Sequence, residues 1–156
     1  MRPLAPALLL SLLAALSTAL GCSRGQAEDL LEQVRDDDYR SNYARAPGWP
    51  DPQQPGFGPH GGFVDIYVNE VVSEAIEAGE PLSAWPEGSI IVKDGWEDAD
   101  AEALRYVAIM EKRGGGEWFW AEYEEDDSVA YAGLDLSTCT GCHSSGEDQV
   151  RAFGLP

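Results

Sequence analysis

Cys139-Thr140-Gly141-Cys142-His143 is a CxxCH pentapeptide. Two thiols at this spacing can each add across a vinyl group of one haem. The adjacent imidazole is then held under the ring as an iron ligand. The motif thus states a cofactor, c-type haem, its covalent attachment through Cys139 and Cys142, and a metal ligand, His143. Other chemistry for the motif fits less well. A redox CxxC belongs where a strand enters a helix in a βαβ pattern, and the preceding Leu134–Thr138 stretch offers none. A structural zinc wants four ligands, and the only other histidine is the distant His60. A plain disulfide between the two cysteines remains chemically open.

A haem iron also needs a sixth ligand or a vacancy. No methionine follows the motif, and beyond the initiator the chain has only Met110, set in an apolar run that reads as core. His60 lies between Pro59 and Gly61-Gly62, where a turn role is expected. An open iron position follows, suited to small-molecule binding or chemistry. His60 and Met110 are the residues that would close it in an electron carrier.

The N-terminus has the form of an export signal. Arg2 precedes an uncharged, mostly apolar stretch from Leu4 to Leu20, too short and wrongly flanked for a membrane span. Residues 1–21 are therefore expected to be a signal peptide. Bacterial c-type haem is attached outside the cytoplasm, so the two motifs agree. Ala19-Leu20-Gly21-Cys22 resembles a lipobox, which makes Cys22 the expected site of lipidation and implies a periplasm-facing, outer-membrane lipoprotein. Several acyl chains at ~0.8 kcal/mol per buried CH₂ would anchor it durably.

Charge narrows the partners. Ten basic residues face 28 acidic ones, and loss of Arg2 with the signal leaves nine. Nucleic acid is excluded as a partner, since no basic patch could neutralise phosphates. A positively charged electron-transfer protein would be steered well, although the same charge also serves plain solubility. The sequence has only two lysines, Lys93 and Lys112.

The remaining chain must position the motif. Residues 22–59, with Asp36-Asp37-Asp38 and five prolines from Pro47 to Pro59, read as an acidic, proline-rich tether to the anchor. Leu30, Leu31 and Val34 suit a short helix, and Trp49 and Phe57 could pack back on the globule. Residues 60–156 form the expected domain. Alternation at Phe63–Val68 predicts a strand, and Asn69 caps a helix ended by Gly79 and Pro81. Strands follow at Ser89–Asp94, Ala103–Lys112, Glu117–Tyr123 and Ser128–Ala132, with Gly114-Gly115-Gly116 as a hairpin turn. A short helix is expected over Gly146–Phe153. The fold class is α+β, a mostly antiparallel β-sheet with flanking helices and a C-terminal haem motif.

Trp85-Pro86-Glu87-Gly88-Ser89-Ile90-Ile91-Val92-Lys93 resembles a segment of the cytochrome P-460 family, in which an acidic-Gly pair leads into a strand ending in lysine. Ala108–Lys112, followed by glycines and Trp118-Phe119, is similar to the next hairpin of that family. The late CxxCH followed by an acidic residue, Val150 and Phe153 is similar to its C-terminal end. The resemblance spans about residues 60–154. It implies a mostly antiparallel β domain, often homodimeric, in enzymes that oxidise hydroxylamine or relatives that bind nitric oxide. In the enzymes a lysine is joined covalently to the haem, and Lys93 stands at that place. Ser89, Ile91 and Lys93 share a strand face, so an inward Lys93 could reach a buried ring.

Oxidation of hydroxylamine also needs a proton acceptor near the iron. Glu147 and Asp148 follow the motif and are the acid/base candidates, although early acidic residues also suit a first helical turn. Trp118, Phe119 and Trp120 are candidate pocket walls or sheet core. Three roles stay open: a redox enzyme for small nitrogen compounds, a nitric oxide binder, or a lipid-anchored electron-transfer cytochrome.

Overall fold

The computed structural model describes residues 23–56 and 58–156. The expected signal peptide, Cys22 and Phe57 lie outside the described residues. An antiparallel sheet forms the centre. It is built from β1 (Ala44–Arg45), β2 (Gln54–Pro55), β3 (Phe63–Val68), β4 (Ile90–Trp96), β5 (Leu104–Lys112), β6 (Trp118–Glu124) and β7 (Val129–Leu134). The order is β1-β3-β4-β5-β6-β7, with β2 also paired to β3. The helices are α1 (23–36), α2 (Tyr39–Asn42), α3 (Glu70–Ala78) and α4 (Ser137–His143). This is the α+β, mostly antiparallel architecture expected from the strand alternation.

Side chains alternate across a strand, so the sheet has two faces. One face holds Val92, Val107, Ile109, Phe119, Ala121 and Tyr123, and α1 covers it with Ala27, Leu30, Leu31 and Val34. Those four positions follow the i, i+3, i+4, i+7 stripe of an amphipathic helix. Each fully buried leucine contributes about 1.5–3 kcal/mol by leaving water. Tyr123 Oη also donates to the Ala27 carbonyl at 2.6 Å.

This packing corrects the expectation of a tether. Residues 23–56 belong to the globule because α1 buries one core face. The chain after it is pinned by Arg45 to Asp65 and by Trp49 Nε1 to the Ala152 carbonyl, 3.0 Å. The acidic run turns its charges outward, and Asp38 holds a left-handed φ of 47° at the start of α2.

The other face holds Val64, Ile66, Val68, Ile91, Met110, Trp118 and Trp120. Asn69 stitches α3 to β4. It accepts from the N–H groups of Val72 (3.3 Å) and Ile90 (3.0 Å) and donates to the Gly88 carbonyl (2.8 Å). Gly79 ends α3 at a φ of 61°, as expected of a left-handed cap. Gly95 lets the loop before β3 lie directly on β4, since a Cβ there would overlap the His60 carbonyl.

The expected helix over Gly146–Phe153 is not formed. Residues 147–150 make a tight turn closed by Val150 N–H to the Glu147 carbonyl at 3.0 Å. Asp148 and Gln149 both have left-handed φ, 45° and 65°, which an α-helix excludes. The helix lies earlier instead, and it contains the CxxCH motif itself.

Candidate haem site

α4 sets the site from its own periodicity. Cys139, Cys142 and His143 stand at i, i+3 and i+4, one face of a helix. All three line a cavity of about 510 Å³ between α4, the His60 loop and the second sheet face. Such a volume suits a small-molecule or cofactor site. Both cysteines are free thiols, and burial pushes Cys139 up to about 11.

The strand register builds the facing wall. Ile66, Lys93, Ala108, Glu122 and Tyr131 are successive cross-strand partners on β3, β4, β5, β6 and β7. All five line the cavity. Lys93 and Glu122 therefore sit two strand spacings apart on one row, roughly 10 Å at the backbone. The neighbouring row contributes Ile91, Met110 and Trp120. The wall is mostly apolar, with an amine and a carboxylate set into it.

His143 has one ring nitrogen engaged, since Nδ1 lies 2.9 Å from the Gln149 carbonyl. A carbonyl only accepts, so Nδ1 carries the proton and Nε2 keeps a free lone pair. Burial, opposed by that carbonyl and reinforced by Lys93, His60 and Arg151, lowers His143 below the ordinary histidine range. The imidazole is thus neutral, as a metal ligand must be. Trp120 packs edge-on against it, ring centroids 4.7 Å apart and planes at 71°. The Trp120 indole N–H is buried without a hydrogen-bond partner.

His60 stands across the cavity, its ring centroid 6.4 Å from that of His143. Its Nδ1 lies 2.5 Å from Glu122 Oε2. The approach is off the hydrogen-bonding direction, so the two groups are in close contact without an aligned bond. Sequence reasoning missed Glu122 as a site residue. The one available signal was Trp118, Trp120 and Glu122 alternating on one face, a carboxylate at a core-facing position.

The sequence-derived residues divide. Cys139, Cys142, His143, Lys93 and Trp120 meet at the cavity. Trp118 and Phe119 do not line it. Trp118 is buried beneath the C-terminal turn, and Phe119 points into the α1 face because adjacent strand residues alternate. The acid/base candidates are also corrected. Glu147 accepts from the Leu155 N–H at 2.8 Å, and Asp148 is paired with Lys112 at 2.7 Å. Neither lines the cavity; both shape the terminal turn.

Lys93 is exposed only in part, and it lines the cavity. Burial lowers its amine below the ordinary lysine range, Arg151 adds to that, and Glu122 opposes it. A lysine held low costs stability while it is charged. The cost fades as pH rises through the lowered value toward the unfolded range near ~10.4. In protein made without haem, Lys93→Met should therefore raise the thermal midpoint near neutral pH by a few degrees, on the order of 1 kcal/mol. The gain should shrink toward pH ~10. Thermal melts of both proteins across that range check the sign.

The residues present fit a c-type haem. They supply two thiols and a neutral imidazole from one helix face, an apolar wall, and a polar corner at His60 and Glu122. Compared with known proteins, the chain is matched over residues 36–152 by a family model described as Cytochrome P460. No curated protein and no solved structure matches it.

Proposed function

The chain belongs to the cytochrome P460 family and is thus a c-type haem protein, and from that premise we propose that it oxidises small nitrogen compounds, hydroxylamine first among them, at an open iron position. The observation that carries the reading is the cavity row of Lys93, Ala108 and Glu122 facing His143. When bound, the haem supplies an iron centre that takes a small ligand and passes electrons one at a time. Cys139 and Cys142 would hold it covalently, and His143 Nε2 would ligate the iron. Lys93, its amine held below the ordinary lysine range by burial, lines the same cavity and would be the side chain for a covalent join to the ring.

The protein side of the chemistry is proton handling. Taking hydroxylamine to the nitroxyl level, NH₂OH to HNO, releases two electrons and two protons. Glu122 is the acceptor for a proton, and His60 in contact with it offers the next station. The apolar wall around them lowers the local dielectric and strengthens their interaction. The electrons must leave to a one-electron acceptor, and the strongly acidic chain suits a basic protein in that role. Export, a lipid anchor at Cys22 and a homodimeric state are further parts of the proposal. The test is turnover of hydroxylamine by matured protein with an artificial one-electron acceptor. Hydroxylamine-dependent reduction is expected, and its absence in haem-replete protein would overturn the reading.

One observation favours an electron carrier as the second reading. Two imidazoles on opposite sides of one metal, each bonded at about 2.0–2.1 Å, have ring centroids roughly 6 Å apart. The His60–His143 separation of 6.4 Å is close to that. His60 would then fill the sixth position and close the iron to substrate.

A further inference from the structure

Lys112 is the chain's other lysine, and it is buried. Its side chain is 3 % exposed, and Nζ sits 2.7 and 2.8 Å from the two oxygens of Asp148. It also lies 5.0 Å over the Trp118 ring. A buried ion pair is weak evidence for stability, because the desolvation of two charges offsets most of their attraction. Its placement is more informative. Asp148 also accepts from the Trp85 N–H at 2.8 Å, and its carbonyl accepts from Trp118 Nε1 at 2.8 Å. Four contacts thus fix a residue whose φ of 45° is unfavourable for a side-chain-bearing residue. The next residue, Gln149, is also left-handed, and its carbonyl is the one that receives His143 Nδ1. Gly146 closes the turn where a Cβ would overlap the Val150 carbonyl.

We infer that the Lys112–Asp148 ion pair is a positioning clamp for the axial histidine. It holds the 147–150 turn in a strained conformation that aims the Gln149 carbonyl at His143 Nδ1. That hydrogen bond fixes the ring's tautomer and orientation and raises its basicity as a ligand. A more basic imidazole favours ferric over ferrous iron, so the clamp lowers the reduction potential. Lys112 and Asp148 touch neither the cavity nor the motif. They act through Gln149, as positioning residues.

The inference rests on His143 ligating the iron. Its test uses matured haem protein and two substitutions of opposite charge. Asp148→Asn removes a negative charge but keeps an acceptor for Trp85 and tolerance of left-handed backbone. Lys112→Met removes the positive charge and keeps most of the stem. Through-space charge alone would raise the midpoint potential in the first and lower it in the second. The clamp raises it in both, and in the ferrous protein it moves the iron–histidine stretching band to lower frequency in both. Lys112→Arg should restore both readouts toward wild type. Potentials that shift in opposite directions, or do not shift in Asp148→Asn, would overturn the clamp. Should Lys112→Met fail to mature, Trp118→Phe replaces it, since it deletes one of the four contacts without changing charge; an unmoved band there also counts against the clamp. A wild-type ferrous protein that is high-spin and still lacks the iron–histidine band would instead refute the ligation on which the inference depends, and in a low-spin protein the two potentials alone decide for or against the clamp.

Discussion

Glu122→Gln lowers hydroxylamine turnover roughly 10²–10⁴-fold, the usual worth of a positioned general base, while haem content and nitric oxide binding stay as in the wild type. The substitution keeps the size of the side chain and removes its charge, and with it the ability to take a proton. Glu122 is suited to that test because it lines the cavity on the Lys93 row and contacts His60. Its strand neighbours will not replace it. Glu124 follows on the same face but is exposed at the end of β6, and the acidic residues after it lie in the β6–β7 turn. Glu122→Asp should recover part of the rate, since it restores a carboxylate one methylene short. Steady-state assays with an artificial acceptor, beside spectra of each variant, check this. A variant of unchanged turnover would remove Glu122 from the chemistry and leave His60 as the remaining acceptor in the cavity.

The second large effect is on stability. Asp65→Ala should cost about 3 kcal/mol at neutral pH, at the lower end for breaking a buried charged network. The Asp65 side chain is almost wholly buried and has four donors around it. Arg45 Nη1 lies at 2.7 Å, the Gln53 N–H and Nε2 at 3.0 Å each, and Trp96 Nε1 at 2.9 Å. Together they tie β1, the residue preceding β2, β3 and β4 around one carboxylate, on either side of the loop that carries His60. Arg45 can turn to water when its partner is lost, but the Gln53 and Trp96 donors cannot do so freely, and each orphaned donor costs about 1–3 kcal/mol. Burial alone would raise the Asp65 carboxyl; Arg45, Gln53 and Trp96 outweigh it and hold it below the ordinary carboxylate range. A carboxylate lowered in the folded state stabilises above its unfolded value, and that contribution is lost as pH falls through the lowered one. The gap between wild type and Asp65→Ala should therefore be full at pH 7 and narrow below about pH 4. Urea unfolding at several pH values measures it.

The parts of the site that were legible in the sequence were the local ones. CxxCH places the two attachment thiols and the ligating imidazole on one helical face. Lys93 was readable because strand alternation and the resemblance agreed on its direction. Glu147 and Asp148 were misread because a carboxylate's partner is a tertiary fact: Lys112 lies 36 residues away. Glu122 was hidden for the opposite reason. It stands among many acidic residues, and only the pairing of β6 with β5 shows that it faces inward beside Ala108. The stripe of Ala27, Leu30, Leu31 and Val34 was present in the sequence, but neighbouring aspartates and prolines outweighed a helix-period signal that the core in fact uses. The left-handed pair at Asp148 and Gln149 had no sequence mark at all, since neither residue is glycine.

An iron held by His143 with an open position beside Lys93 and Glu122 reveals itself in the absorption spectrum of matured protein. It should be recorded oxidised and dithionite-reduced, before and after nitric oxide. The expected result is a high-spin spectrum that changes on adding nitric oxide, with a strongly red-shifted reduced Soret band that Lys93→Met abolishes. A low-spin spectrum indifferent to nitric oxide would contradict it and assign His60 to the sixth position of an electron carrier.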